Sequence, residues 1–366
     1  MKPKIRPTSF QDYAALIPVL ERNRLITTMS REEWQHIWMG NPFRDLFHDV
    51  PIGWALESEG GKLVGTISNL HSLCYFKGQL LRAVVSSSWA VDTEYRSWSL
   101  LLAKRYFQQN NVDLLLNTSA GPVASKVYPL FAKPLPCPNY NRQLVWITDY
   151  LRFAEAALRK KEIRAPALLK YPAAMALRCL NTVRQRNSHS WREGQILSLA
   201  EFDDRFDKFW SALASRSTRL LTLRSCAALT WRFRRGIAQK QVFILATEEQ
   251  GELTGYMVLL LRRVEDADLQ EFRIVDVQVL DEQPGRLRVL LLAALELSYE
   301  KDVDLIRLIG FSETKRRALG HTGYLVYKEP IWPYYYRVQN PVLGAELTGT
   351  EAWDPSPFDG DNLWFL

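Results

Sequence analysis

The chain reads as an α/β protein built from two copies of one unit, joined by a basic helical segment. Three observations lead there: matched segments recurring at nearly one offset, an order of elements shared by both halves, and a charge excess confined between them. Glu59-Gly60-Gly61-Lys62-Leu63-Val64-Gly65-Thr66 returns as Glu249-Gln250-Gly251-Glu252-Leu253-Thr254-Gly255-Tyr256, displaced by 190 positions. Val112-Asp113-Leu114-Leu115-Leu116 returns as Val303-Asp304-Leu305-Ile306, displaced by 191. The apolar runs that end in Asp92 and Asp281 lie 189 apart.

In the first copy, Ile5-Arg6-Pro7 opens a short strand, and helices follow over 11–23 and around 34–38. The strand at 52–56 and the one from Leu63 flank a Gly-containing turn. That pattern specifies an antiparallel hairpin, because tight hairpin turns need the positive φ that glycine accepts. A strand ending in Trp89-Ala90-Val91-Asp92, a helix over 99–109 and a strand from Val112 then form a βαβ crossover. The second copy repeats this with a strand at 196–198, helices at 203–214 and near 231–233, and a hairpin strand at 242–246. Its crossover comprises a strand ending in Asp281, a helix at 286–301 and a strand from Val303. Both halves spell β-α-α-β-β-β-α-β-α-β. The expected divisions are 1–148 and 194–338, with a basic helical linker at 149–193 and an aromatic, acidic tail at 339–366 packed on the second unit.

A 366-residue chain with 47% hydrophobic and 24% charged residues has material for large cores, which excludes disordered and mini-protein classes. No run approaches the roughly 18 apolar residues of a membrane span. The N-terminal stretch has no apolar signal segment, so the expected address is the cytosol. Cys74, Cys137, Cys179 and Cys226 form no CxxC pair, and His36, His48, His71, His189 and His321 are scattered; no metal is expected.

Between 151 and 192, ten basic residues face two acidic ones, a net +8 that leaves the remainder of the chain near neutral. A DNA-binding domain would carry its charge on a folded face, so DNA is not an expected partner. Within this segment Leu169, Met175 or Ala176, Leu180 and Val183 share a helical face, opposite Arg178, Arg184 and Arg186, with Pro172 at the start or at a kink. Two readings stand. One is a connector with a solvated charged face; the other is contact through 151–192 with tRNA, a polyanionic substrate or the inner face of an anionic membrane.

Val91-Asp92-Thr93-Glu94-Tyr95-Arg96-Ser97-Trp98-Ser99-Leu100-Leu101-Leu102 resembles the strand–loop–helix of the GNAT-type acyl-CoA N-acyltransferases. The order of elements is similar over roughly 4–147 and 194–338. The resemblance implies two tandem units, each a central mixed, mostly antiparallel sheet flanked by helices, and acetyl-CoA or another acyl-CoA as co-substrate. It implies that the backbone of Trp89, Ala90 and Val91 faces the thioester. Arg96, Ser97, Trp98, Ser99, Leu100 and Leu101 would hold the diphosphate at a helix N-terminus, where unpaired N–H groups and the helix dipole favour anions. Arg96 matches the family loop; Ser99 and Leu101 replace its glycine or alanine, and Leu101 is expected to crowd the approach. The second copy, Gln283-Pro284-Gly285-Arg286, has no Gly-x-Gly, which points to the first half as the coenzyme site.

Asn117 and Tyr128 are similar to the family's strand-end Asn and its thiolate-protonating Tyr, a role that suits a phenol. The simpler alternative for Tyr128 is packing on Phe131. Ala132 replaces the family glycine, whereas the second copy has Leu319 and Gly323. Base candidates are Glu57, His71, Asp92 and Glu94. Asp276, in an apolar strand, is either a base in a cleft between the halves or a structural hydrogen-bond partner. The tail, with Trp332, Tyr334 to Tyr336, Trp353, Asp359, Asp361 and Trp364, either packs down or stacks on a sugar. Similar endings accompany two-domain proteins of surface-polysaccharide assembly, which implies an amine acceptor such as an amino sugar. The alternatives are a FemABX-like aminoacyl transferase using aminoacyl-tRNA, or an inactive scaffold. The enzymatic reading expects an open slot in the splayed first sheet.

Overall fold

The computed structural model describes residues 2–25, 29–140, 142–160, 170–185, 195–320, 325–327 and 333–361. Leu169, Arg186, Gly323, Trp332 and Trp364 lie outside the described residues, as do the side chains of Leu180, Val183 and Arg184.

The first copy comprises β1 (Lys4–Pro7), α1 (Tyr13–Arg22), α2 (Arg31–Trp38), β2 (Gly53–Glu57), β3 (Leu63–Phe76), β4 (Gln79–Val91), α3 (Ser99–Phe107) and β5 (Leu114–Asn117). Then come β6 (Lys133–Pro134), β7 (Gln143–Ile147), α4 (Tyr150–Lys160) and α5 (Lys170–Gln185). The second copy runs β8 (Gln195–Leu199), α6 (Arg205–Arg216), β9 (Leu221–Thr222), α7 (Cys226–Ala238), β10 (Val242–Glu249), β11 (Glu252–Val264), β12 (Leu269–Val279), α8 (Pro284–Glu300) and β13 (Leu305–Leu308). It closes with α9 (Glu313–Leu319), β14 (Leu325–Tyr327), β15 (Tyr335–Val338) and α10 (Pro341–Glu346).

One sheet has the order β1-β2-β3-β4-β5-β15-β6, with β9 on β3; the other has β8-β10-β11-β12-β13-β7-β14. Matched strand for strand, the two orders are identical, but β7 and β15 have changed places. Tyr335 lies opposite Asn117 in the first sheet, and Leu144 opposite Leu308 in the second. The divisions at 148 and 338 therefore separate the sequence without separating the sheets. Periodicity has no means of revealing this: β7 and β15 follow equivalent positions, and the pattern of a strand does not say which edge it meets.

The repeated glycine of the hairpin motif has a steric cause in both copies. A Cβ on Gly65 would lie 3.1 Å from Val91 Cγ2 and 3.2 Å from Ala90 O; one on Gly255 would lie 2.7 Å from Val279 Cγ1. Each glycine lets the end of the neighbouring strand pack close beside the hairpin.

α1 and α2 cover one face of the first sheet with Leu16, Val19, Leu20, Trp34 and Trp38; α3 covers the other with Leu102, Tyr106 and Phe107. Equivalent helices α2 and α7 meet where the copies join. His36 Nε2 bonds Trp231 O at 3.0 Å, and Trp231 Nε1 donates to His36 O at 3.0 Å. The tail departs from expectation. Leu343, Leu347 and Trp353 complete the first core, while Phe358 joins a core of the second copy. It bridges both units because its apolar residues find a home on each. The aromatics expected to stack on a sugar, Tyr334 to Tyr336 and Trp353, are buried.

The basic segment contains two helices packed on the second sheet, where Phe153, Ala156 and Leu177 meet Ile147, Leu269 and Leu305. Pro172 sits in the first turn of α5, the part of a helix that tolerates a missing N–H. Among the described residues, no helix is long and apolar enough to cross a membrane.

Candidate active site

β4 pairs with β5 over three positions, Ala83↔Leu114 to Val85↔Leu116, and then leaves it. The departure has a local cause. Thr66 pairs with Ala90 and Ser68 with Ser87, so Ser88 and Trp89 share the single partner position of Ile67. Ser88 takes a left-handed φ of 52°. Such a bulge bends its strand and re-aims the side chains after it. Beyond the bulge, Asp92 N–H donates to Val64 O at 2.8 Å. By the alternation of an antiparallel ladder, the N–H of Val91 then turns away from β3 and toward the fork.

The apex of the fork holds Tyr128, brought there by the short helical turn after β5. Its hydroxyl lies 3.2 Å from Ser86 Oγ and accepts from Asn117 Nδ2 at 3.2 Å; Asn117 Nδ2 also donates to Ser86 Oγ at 2.9 Å. The Tyr128 ring stacks on Tyr335, from the exchanged strand, at 5.6 Å and meets Trp89 and Phe107 edge-on. The slot expected to be open is thus lined and filled at its apex by aromatic side chains. Burial pushes the Tyr128 phenol well above its usual pKa; the Ser86 bond opposes this and the charge of Asp361 adds to it. Two buried polar atoms here have no hydrogen-bond partner among the described residues, the donor Trp89 Nε1 and the acceptor Asn117 Oδ1.

The structure brings Asn117, Tyr128, Trp89, Ala90 and Val91 together at this fork and places the other candidates elsewhere. Glu57 accepts from Arg6 Nε at 2.5 Å on the β1–β2 edge, because Arg6 also clasps Asp12. His71 pairs opposite Val84, in the closed part of the sheet, and stacks on Phe47 at 4.6 Å. Burial pushes its pKa down to about 4, so it is neutral at physiological pH but far from the fork's open end. Asp92 is held by Arg22 at 2.8 Å, and Glu94 is exposed.

The loop before α3 is itself helical. Residues Thr93–Trp98 form a 3₁₀ helix, and the N–H of Ser99 is already bonded to Arg96 O. The start of α3 consequently presents fewer free amides than a bare helix N-terminus. Arg96 and Ser97 are exposed, while Trp98 and Ser99 are half-buried. Leu100 and Leu101 are also exposed, so Leu101 faces solvent and does not wedge against the strand as expected.

The second fork is closed by charge. Asp276 is not a free base: Arg224 grips it at 2.9 and 3.1 Å, both side chains fully buried, and Tyr256 donates to it at 2.6 Å. Tail residues Ser356 and Asp359 join Arg224 at 3.0 and 3.3 Å. Beside them Lys315 pairs with Asp354 at 2.6 Å and donates to Gln278 Oε1, whose amide nitrogen has no partner among the described residues. Among the described residues no group of three His, Cys, Asp or Glu is placed to hold a metal ion.

No family's sequence model matches the chain, and no curated protein's sequence does. Solved structures do. A GCN5-related N-acetyltransferase from Anabaena variabilis superposes with TM-score 0.56 at 12% identity, covering 93% of this chain and 74% of its own. One from Kribbella flavida gives 0.57 at 12%, covering 92% and 71%. The fold is that of the GCN5-related N-acetyltransferases. N-myristoyltransferase of Saccharomyces cerevisiae, with bound myristoyl-CoA, matches at TM-score 0.52 and 11% identity over 92% of this chain and 79% of its own.

Within this GCN5-related fold the two forks have diverged. The first keeps hydroxyl, amide and phenol groups with two orphan atoms; the second is occupied by ion pairs that the tail completes. The missed residues, Ser86, Ser87 and Arg224, carry no motif, and Asp361, which the sequence offers only as a sugar contact of the tail, lies at the first fork. Only their partners in space distinguish them.

Proposed function

We propose that the chain transfers an acyl group from acyl-CoA to an amine, with the donor bound in the first fork. The observation that carries this reading is the orphan pair beside Tyr128, Trp89 Nε1 and Asn117 Oδ1. Each buried unsatisfied group costs about 1–3 kcal/mol, so such atoms mark a place where a ligand completes the bonding. The pantetheine arm and thioester of an acyl-CoA supply carbonyl oxygens for the indole and amide N–H groups for the carboxamide. The crowding of Trp89, Phe107, Tyr128 and Tyr335 favours a short acyl group, acetyl above all. Exposed Arg96 supplies positive charge for the diphosphate, supplementing the depleted amides at the start of α3.

In this reading the fork holds thioester and amine together, and the Val91 N–H polarises the thioester carbonyl. Tyr128 stands ready to give a hydrogen bond, and then a proton, to the departing sulfur. Its raised pKa keeps it protonated, so it can hold a hydrogen bond to the sulfur as negative charge develops there. The acceptor is proposed to be an amine, with an amino sugar the first to test.

Thermal unfolding in the presence of acetyl-CoA and of myristoyl-CoA tests the reading. Acetyl-CoA is expected to raise the melting temperature saturably, equivalent to about 2.7 kcal/mol at a hundred times Kd, with Arg96→Ala needing more ligand for the same shift. No saturable shift with either thioester would remove the reading.

A further inference from the structure

We infer that Asp361, carried by the C-terminal tail, receives the acceptor amine and takes its proton, on the face of the first fork opposite Tyr128. The inference rests on the acyl-transfer reading of that fork. Asp361 is buried, with Oδ1 accepting from Thr118 Oγ1 at 3.0 Å and Oδ2 from Ser119 Oγ at 2.8 Å; the Ser87 hydroxyl bonds it as well. These hydroxyls belong to the two diverging strands, Ser87 to β4 and Thr118 and Ser119 to the segment just past β5. The carboxylate therefore lies across the mouth of the fork. A Cβ on Gly360 would lie 2.5 Å from Thr118 Oγ1, so glycine is what lets the tail come this close.

The side of approach follows from strand alternation. Ser86 points to Tyr128, so the next residue, Ser87, points to the other face, where it meets Asp361. Tyr128 and Asp361 thus reach the fork from opposite faces of the sheet.

Three neutral hydroxyls orient the carboxylate without cancelling its charge. Burial raises its pKa above the ordinary carboxylate range, opposed by the bonds from Ser119, Thr118 and Ser87, which makes it a stronger base. The ionisable groups around it are Arg232 on α7, whose own pKa burial lowers to about 9 against the pull of Asp361 and Asp359, and Tyr128 across the fork. The other carboxylates considered are ion-paired or exposed at a distance.

The step balances. The amine lone pair attacks the thioester carbon, forming the N–C bond, and the C–S bond breaks. Before the attack Asp361 takes a proton from the bound ammonium and passes it to solvent; the thiolate takes a proton from Tyr128, which is restored through solvent by the proton that the new amide nitrogen sheds.

The test uses the full-length protein, acetyl-CoA, and two probe amines at about pH 6.5, where glucosamine is mainly ammonium and hydroxylamine mainly free base. Asp361→Asn is expected to lower kcat/KM for glucosamine about 10²-fold or more while hydroxylamine changes less than about threefold. Equal loss on both amines, or no loss, overturns the assignment while leaving acyl transfer intact. A wild-type protein that acylates neither amine overturns both. Ser119→Ala, which keeps the charge and removes one stabilising bond, is expected to move the acid limb of the glucosamine pH profile to higher pH. An unmoved limb also overturns the assignment, even if Asp361→Asn does not fold.

Discussion

Arg224→Ala is expected to lower the unfolding free energy by about 3–5 kcal/mol, the range seen when one partner of a buried ion pair is removed. Arg224 and Asp276 are both fully buried, and Asp359 and Ser356 share the same guanidinium. Burial alone would lower the Arg224 pKa; the charges of Asp276 and Asp359 outweigh that and hold it above its usual value. Without the guanidinium, two carboxylates remain in a low-dielectric interior with only hydroxyl donors and the backbone N–H of Ser356. The Phe358 ring, 4.8 Å from the guanidinium carbon, loses its cation as well. Urea unfolding at neutral pH measures the loss. Arg263→Ala, which breaks the exposed pair to Asp268, is the comparison and should change little. Near-equal stability of the two variants would show that the second fork does not depend on its buried charges. Because Arg224 also anchors Ser356 and Asp359, its removal should loosen the tail that delivers Asp361.

Tyr128→Phe is expected to cut acetyl transfer to hydroxylamine by about 10²-fold, the lower end for a positioned proton donor. The stability cost should be modest, about 0.5–1.5 kcal/mol for a lost neutral hydrogen bond, because Asn117 Nδ2 still bonds Ser86 Oγ at 2.9 Å. The ring contacts with Tyr335, Trp89 and Phe107 are retained. Steady-state thiol release, measured beside the melting temperature, separates the two effects. An unchanged rate would reduce Tyr128 to a packing residue.

Much of the architecture is written locally. The glycines at 65 and 255 recur where the end of the next strand packs close beside each hairpin, so a steric need became a visible repeat. Asn117 and Tyr128 were legible for a similar reason, since both sit at short range from the end of β5. What stayed hidden depends on distant pairing. β7 and β15 follow equivalent positions, and their exchange concerns which edge each meets. Asp276 looked like a base because its strand is apolar; its cation comes from Arg224, 52 positions earlier, in a segment with no motif. Glu57 and His71 lie away from the fork, and periodicity could not show this because it assigns a face of the sheet but not a distance from the fork. Asp361 lies 243 positions from Thr118, and nothing in its neighbours along the chain announces that contact.

Hydrogen exchange with and without acetyl-CoA tests donor binding at its point of contact. Exchange at the amides of Trp89, Ala90 and Val91, and along the loop from Arg96 to Leu101, should slow as acetyl-CoA saturates the protein. The equivalent amides from Gln278 to Leu280, beside the ion-paired fork, should stay unchanged. Protection at the second fork instead, or at neither, would contradict an acyl-CoA site between β4 and β5.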